Sequence, residues 1–179
     1  EDSMRLVKTL PFLLSLSAAL GSVSAWALPN DRDQPVRIQA DSAQMDDKNK
    51  VATYIGDVII TQGSMVIKGN KVTITLNQAG DIDTATSVGN LAYFEQLQDA
   101  NKPESKMQGY AETIQYQAGK DLIILTDRAK VINAGNTTEG EKIVYNSKTQ
   151  VATAGRGGKD IKTPRQRIDM VIQPKKKAE

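Results

Sequence analysis

The sequence predicts an all-β chain built from stacked antiparallel strand-turn-strand units, and three observations carry that prediction. Short β-prone runs separated by turn formers follow one another from Val36 onwards, at the spacing of an all-β domain. The plainest run, Lys71 to Leu76, alternates strictly, with Val72, Ile74 and Leu76 on one face and the threonines on the other, as a half-buried strand requires. Blocks of the chain also recur, which marks a structural unit used more than once.

Taken in order, strands are expected at Val36 to Gln39, Val51 to Ile55, Val58 to Thr61, Met65 to Lys68, Lys71 to Leu76, Asp81 to Val88 and Leu91 to Leu97. Ala111 to Gln117, Leu122 to Thr126, Ala129 to Ile132, Glu141 to Tyr145, Val151 to Ala154 and Arg167 to Ile172 complete the set. Asp46-Asp47-Lys48-Asn49, Asn77-Gln78-Ala79-Gly80 and Ala118-Gly119-Lys120-Asp121 have the composition of turns. Leu91 to Gln98 also fits a short helix, because Leu91, Phe94 and Leu97 fall three apart. Gly56, Gly63, Gly69, Gly89 and Gly140 stand singly and read as bulges and turns.

A slip of 71 positions lays Ala40 to Met45 on Ala111 to Tyr116, and Lys68 to Val72 on Glu139 to Ile143. A slip of 100 matches Val51-Ala52-Thr53 to Val151-Ala152-Thr153. A β unit of this kind cannot bury its apolar face alone and must stack on its neighbours.

At the N-terminus, Met4, Arg5 and Lys8 precede an apolar run from Leu10 to Leu20, and Ala25-Trp26-Ala27 offers a small-x-small cleavage site. That layout is a secretory signal over residues 1–27, and Glu1, Asp2 and Ser3 stand ahead of the natural-looking start at Met4. The apolar run falls short of the ~20 residues that an uncleaved anchor would need. A single β domain is expected over 28–173, followed by a basic, disordered tail over 174–179 containing Lys175-Lys176-Lys177.

The 179 residues carry 23 lysines and arginines against 21 acidic residues, so the chain lacks the basic field of a nucleic-acid binder. Cysteine and histidine are both absent. An exported chain without disulfides must hold together by its core and its sheet, and without histidine it lacks the commonest general base and metal ligand. Neither a Ser-His-Asp nor a Cys-His site can be built. The carboxylate pairs Asp46 with Asp47 and Asp81 with Asp83 lie in or beside turns, where aspartate caps its own backbone. No enzymatic activity, cofactor or metal is expected. With 4% aromatic residues, the interior is lined by slender aliphatic chains.

An open stack of hairpins ends in unpaired strands, and Pro35 and Pro174 punctuate the two ends here without charging them heavily. Strand addition by other chains is therefore sterically available at both ends.

Three segments resemble a known family: Asp33 to Asp41, Gly56 to Gly63, and Lys120 to Thr126. In order and spacing they are similar to the periplasmic lipopolysaccharide-transport proteins of the LptA (OstA-like) type, over nearly all of the chain from about Leu28. The resemblance implies an open, slightly twisted β-jellyroll in the periplasm, bridging inner and outer membranes, whose interior shelters the acyl chains of lipopolysaccharide (lipid A). It implies groove-lining roles for Val36, Ile38, Phe94 and Tyr116, and strand parity with those positions adds Met45, Ile74 and Ile114. It further implies that the N-terminal edge, Val36, Arg37, Ile38 and Gln39, faces LptC at the inner membrane. The C-terminal edge, Ile168, Asp169, Met170 and Val171, would face LptD at the outer membrane, with head-to-tail association of copies between. Arg32 and Ala118 depart from the family's usual residues, and Arg32 is a candidate for a lipid phosphate. The rival reading from the residues alone is a structural β-solenoid assembly module with a packed core and no lipid ligand.

Overall fold

The computed structural model describes residues 31–99, 102, 105–155 and 167–173. The expected signal segment, the basic tail and the side chain of Arg32 lie outside the described residues. Among the described residues ten strands form one antiparallel sheet: β1 (Val36–Gln39), β2 (Ser42–Asp46), β3 (Val51–Gln62), β4 (Met65–Leu76), β5 (Ile82–Leu97), β6 (Lys106–Gln117), β7 (Leu122–Asn133), β8 (Asn136–Asn146), β9 (Val151–Gly155) and β10 (Asp169–Val171). Its order is β1-β3-β4-β5-β6-β7-β8-β10, with β2 also beside β3 and β9 also beside β8. The open all-β architecture is the one the sequence predicts.

Several strands expected to be separate are halves of one bent strand. Residue pairing skips at Ile55/Val58 in β3, Lys68/Lys71 in β4, Val88/Ala92 in β5, Tyr110/Thr113 in β6 and Thr126/Ala129 in β7. Extra residues bulge out at those corners and turn each strand sharply. Parity slips there too: β4 buries Met65 and Ile67 before the corner but Val72 and Ile74 after it. Alternation therefore holds only within each half, and each half reads as a short strand. Gly56, Gly69, Gly89 and Gly140 sit at corners, while Gly63 (φ 57°) turns the β3-β4 hairpin.

Other boundaries shift as well. Ser42–Asp46 pairs with β3 although all five of its residues are exposed and only the weak alternation of Ala43 and Met45 marks it. Leu91 to Leu97 is strand, with Phe94 fully buried and Leu91 exposed, so the helical spacing there is coincidental. β6 starts earlier than expected, at Lys106, and the last strand contracts to Asp169–Val171, which leaves Ile168 just outside it.

The corners divide the sheet into two leaves that fold over one another. The first leaf holds β2, residues 51–55, 71–76, 82–88, 113–117, 122–126, 142–146 and β9; the second holds β1, 58–62, 65–68, 92–97, 106–110, 129–133, 136–140 and β10. Their inner faces meet in a core of Ile67, Phe94, Met107, Ile114, Ile123, Leu125 and Ile143, each at most 1% exposed. The leaves approach so closely that a Cβ on Gly109 would lie 2.8 Å from Leu125 Cδ2. Opposite the corners the hairpin ends of the two leaves form a seam.

The slip of 71 proves to be structural. It carries β3 onto β7 end for end, and β1 and β2 onto β6. Left-handed backbone recurs at the same interval, with Lys50, Gly56, Asp57 and Gly63 matched by Asp121, Asp127, Arg128 and Ala134. A hydrogen bond recurs likewise: Leu76 N donates to Lys50 O at 2.9 Å, and Ser147 N to Asp121 O at 2.8 Å. The slip of 100 has another origin, a shared turn. Asp46 Oδ1 accepts from Asn49 N at 3.0 Å and Asn146 Oδ1 from Thr149 N at 2.8 Å, and each turn ends in a left-handed residue, Lys50 or Gln150.

Candidate functional site

The seam gapes at the N-terminal edge of the sheet. There a groove of about 650 Å³ runs between the leaves, lined by Val36 and Ile38 from β1, Met45 from β2, Ala52 and Tyr54 from β3, Ile74 and Leu76 from β4, and Tyr116 from β6. The geometry follows from the edge. Interior positions elsewhere have strands on both sides, whereas β1 and β2 have a strand on one side only, so their inward side chains stay open. Val36 is 37% and Met45 62% exposed for that reason. Ala118, where the family resemblance implied a larger side chain, also lines the groove.

Five of the seven lipid-binding candidates thus share one surface: Val36, Ile38, Met45, Ile74 and Tyr116. Phe94 and Ile114 do not line it. Both are sealed within the closed middle of the core, at 0% and 1% exposure, away from the strand ends at which Tyr116 and Leu76 reach the groove. Sequence parity marks inward direction but not distance from the edge, so Ala52, Tyr54 and Leu76 were missed although they alternate in the same way.

A smaller opening of about 190 Å³ lies between the leaves at the C-terminal edge, lined among others by Met107, Val131, Asn133, Tyr145 and Ala152. Asn133 Oδ1 there is a buried acceptor without a hydrogen-bond partner among the described residues. Beside this opening the seam is latched. Gln98 Nε2 donates to Tyr145 Oη at 2.9 Å, and Gln150 Nε2 to Gln98 O at 3.4 Å. Burial, only partly offset by the Gln98 amide, pushes the Tyr145 phenol above its ordinary range, so it stays protonated.

The N-terminal segment is clamped across the rim. Asp31 accepts from Ser64 N at 2.7 Å, from Ser64 Oγ at 2.8 Å and from Gln96 Nε2 at 2.8 Å. These bonds position Gln34 at the groove mouth, where its carbonyl accepts from Gln62 Nε2 at 3.2 Å.

Asp81 and Asp83 border the same mouth. Asp81 belongs to a turn in which its N–H donates to Asn77 Oδ1 at 3.0 Å and its carbonyl accepts from Asn77 N at 2.8 Å. Among the described residues no group of three or more metal-ligating side chains comes together. The outer face of the second leaf carries a cross-strand row of Lys68, Tyr93, Tyr110, Lys130 and Glu139. Lys130 pairs there with Glu139 at 2.9 Å, and Lys106 with Glu95 at 3.2 Å. Burial and the hydrogen bond to Glu95 push Tyr93 up to about 12. Glu95, which burial alone would raise, is held below the usual carboxylate range by Tyr93 and Lys106.

Comparison with known proteins places these features in context. Residues 37–151 match the family described as "LptA/(LptD N-terminal domain) LPS transport protein". The chain is 54% identical over 177 residues to the lipopolysaccharide export system protein LptH of Pseudomonas aeruginosa, spanning 98% of this chain and 100% of that protein. It is 33% identical over 144 residues to LptA of Escherichia coli K12, spanning 79% and 76% of the two chains. The crystal structure of the Pseudomonas aeruginosa LptH, described as the LptA homologous periplasmic component of the conserved lipopolysaccharide transport device, superposes with a TM-score of 0.75 at 50% identity, covering 82% of this chain and 100% of that one.

Proposed function

The chain belongs to the LptA/LptD N-terminal domain family of lipopolysaccharide-transport proteins, and from that membership we propose that it is a periplasmic lipopolysaccharide carrier that shelters lipid A acyl chains between its leaves. The observation that carries this reading is the groove at the N-terminal edge, where Val36, Ile38, Met45, Ile74 and Tyr116 line one recess. Covering hydrocarbon is worth about 0.8 kcal/mol per methylene, so a lipid crossing water needs cover along its whole path.

In this reading the protein works by shielding rather than by catalysis. The N-terminal edge meets LptC at the inner membrane, the C-terminal edge meets LptD at the outer membrane, and copies join head to tail between them. Two edges that no described strand pairs, one at each end of the sheet order, support such joining.

The sealed middle of the core favours a second reading, a β assembly module without a lipid. A photo-crosslinking residue at Tyr116, with one at the outward neighbour Gln115 as control, separates the two. Capture of lipopolysaccharide from position 116 and not from 115 is expected. Folded protein that captures none from either position rules out the carrier.

A further inference from the structure

The 71-residue recurrence makes the chain two consecutive units of four strand positions, β1 with β2 filling one and β9 with β10 another, and its two edges are the exposed counterparts of strands that already pair inside it. β1 and β2 correspond to β6: Val36 faces Gln62 as Met107 faces Asn133, and Met45 faces Ala52 as Tyr116 faces Ile123. β9 and β10 together correspond to β5, since Ala152 faces Tyr145 as Ala85 faces Ile74, and Asp169 faces Glu139 as Tyr93 faces Lys68. The strands β5 and β6 pair with each other and join the first unit to the second.

We infer that two copies of this chain join by repeating the β5-β6 junction, with β9 and β10 of one copy standing in for β5 and with β1 and β2 of the next standing in for β6. This rests on the head-to-tail association proposed above and adds its register. Transferring the observed pairs (Ala85 with Tyr116, Ser87 with Ile114, Phe94 with Gly109, Glu95 with Gln108) sets Ala152 opposite Met45, Ala154 opposite Ala43, Met170 opposite Ile38 and Val171 opposite Arg37. No like charges are opposed.

Three further observations agree with this register. Met170 is 57% and Met45 62% exposed, whereas the residues they correspond to, Phe94 and Tyr116, are 0% and 7% exposed. The junction therefore covers the apolar side chains that the isolated edges leave bare. The N-terminal groove and the C-terminal opening lie at these same two edges, so the join makes them continuous. The acceptor Asn133 Oδ1, without a hydrogen-bond partner among the described residues, lines the C-terminal opening that the join covers.

The absence of cysteine permits a direct test with single-cysteine variants of the full chain mixed in pairs and oxidised. Directly opposed residues of antiparallel strands are close enough for a disulfide. Ile38→Cys with Met170→Cys, and Met45→Cys with Ala152→Cys, are expected to cross-link between copies about tenfold more than Val36→Cys with Met170→Cys, which reports a slip that keeps inward parity. Sedimentation of the unoxidised mixtures, run alongside, reports association independently of register. Associated copies that cross-link through Val36 instead of Ile38, or through none of the pairs, overturn the register while leaving head-to-tail joining intact. Copies that stay monomeric across the concentration range overturn the joining and the register together.

Discussion

Gln98 and Tyr145 hold the open side of the fold together: the amide at the end of β5 donates to the phenol oxygen on β8 at 2.9 Å, across the seam between the leaves. Removing the hydroxyl by Tyr145→Phe leaves the ring in the core and frees the latch. The expected cost is about 0.5–1.5 kcal/mol, measured by urea denaturation. Hydrogen exchange should quicken along β9 and the turn before it, with the centre of β7 unchanged.

Ser87 answers a local problem set by a corner. Its buried hydroxyl donates to Lys68 O at 3.0 Å, next to the point where the β4-β5 pairing skips. Ser87→Ala strands that carbonyl and should cost about 1–3 kcal/mol. Gly69→Ala should also destabilise, because its Cβ would fall 2.2 Å from Ser87 Oγ and 3.0 Å from Val88 O. With the hydroxyl already gone, Gly69→Ala should cost less, so a double-mutant cycle is expected to show coupling of about 1 kcal/mol.

These corners explain what the sequence could and could not disclose. Period-two alternation in Val72, Ile74 and Leu76 and in the halves of the other long strands was enough for the all-β class and for most strand positions. It could not show that 65–68 and 71–76 are one strand, since the bulge between them resets the parity. Ser42–Asp46 stayed hidden because a five-residue edge strand with only Ala43 and Met45 as apolar positions gives too short an alternation to stand out. Parity likewise aimed Phe94 and Tyr116 inward correctly, yet only the folded structure reveals that Tyr116, at the end of β6 beside the turn residues Ala118 and Gly119, borders the groove while Phe94 is sealed.

Asp31 fastens the segment ahead of β1 through three hydrogen bonds to Ser64 and Gln96. Asp31→Ala should release that segment at a cost of about 1.5–3 kcal/mol, the range for hydrogen bonds to a charged group. Limited proteolysis should then cut before Val36 sooner than in the parent, and the fragment left behind should remain folded.

Stability should be flat across the neutral range, because a chain without histidine or cysteine has no side chain that ordinarily titrates between about pH 5 and 8. Glu95 is depressed in the folded state, so its contribution is present above the ordinary glutamate value and is lost as pH falls through the lowered one. Tyr93 is raised to about 12, so its contribution is full below the ordinary tyrosine value and is lost as pH rises through about 12. Melting temperatures recorded from pH 3 to 11.5 should trace a plateau that declines at both extremes. Glu95→Gln should flatten the acid limb.

The two edges of the sheet are unlike one another, one ending in β1 and β2 and the other in β9 and β10. A contact between unlike surfaces is heterologous and carries no instruction to stop. If copies join as inferred above, each addition uses up one edge of each kind and presents the same two kinds at the ends of the product, so the supply of growing ends never alters the rule of growth. Length is then a matter of mass action and of terminators. Protein concentration sets the average, and a molecule bearing only one matching edge fixes the end.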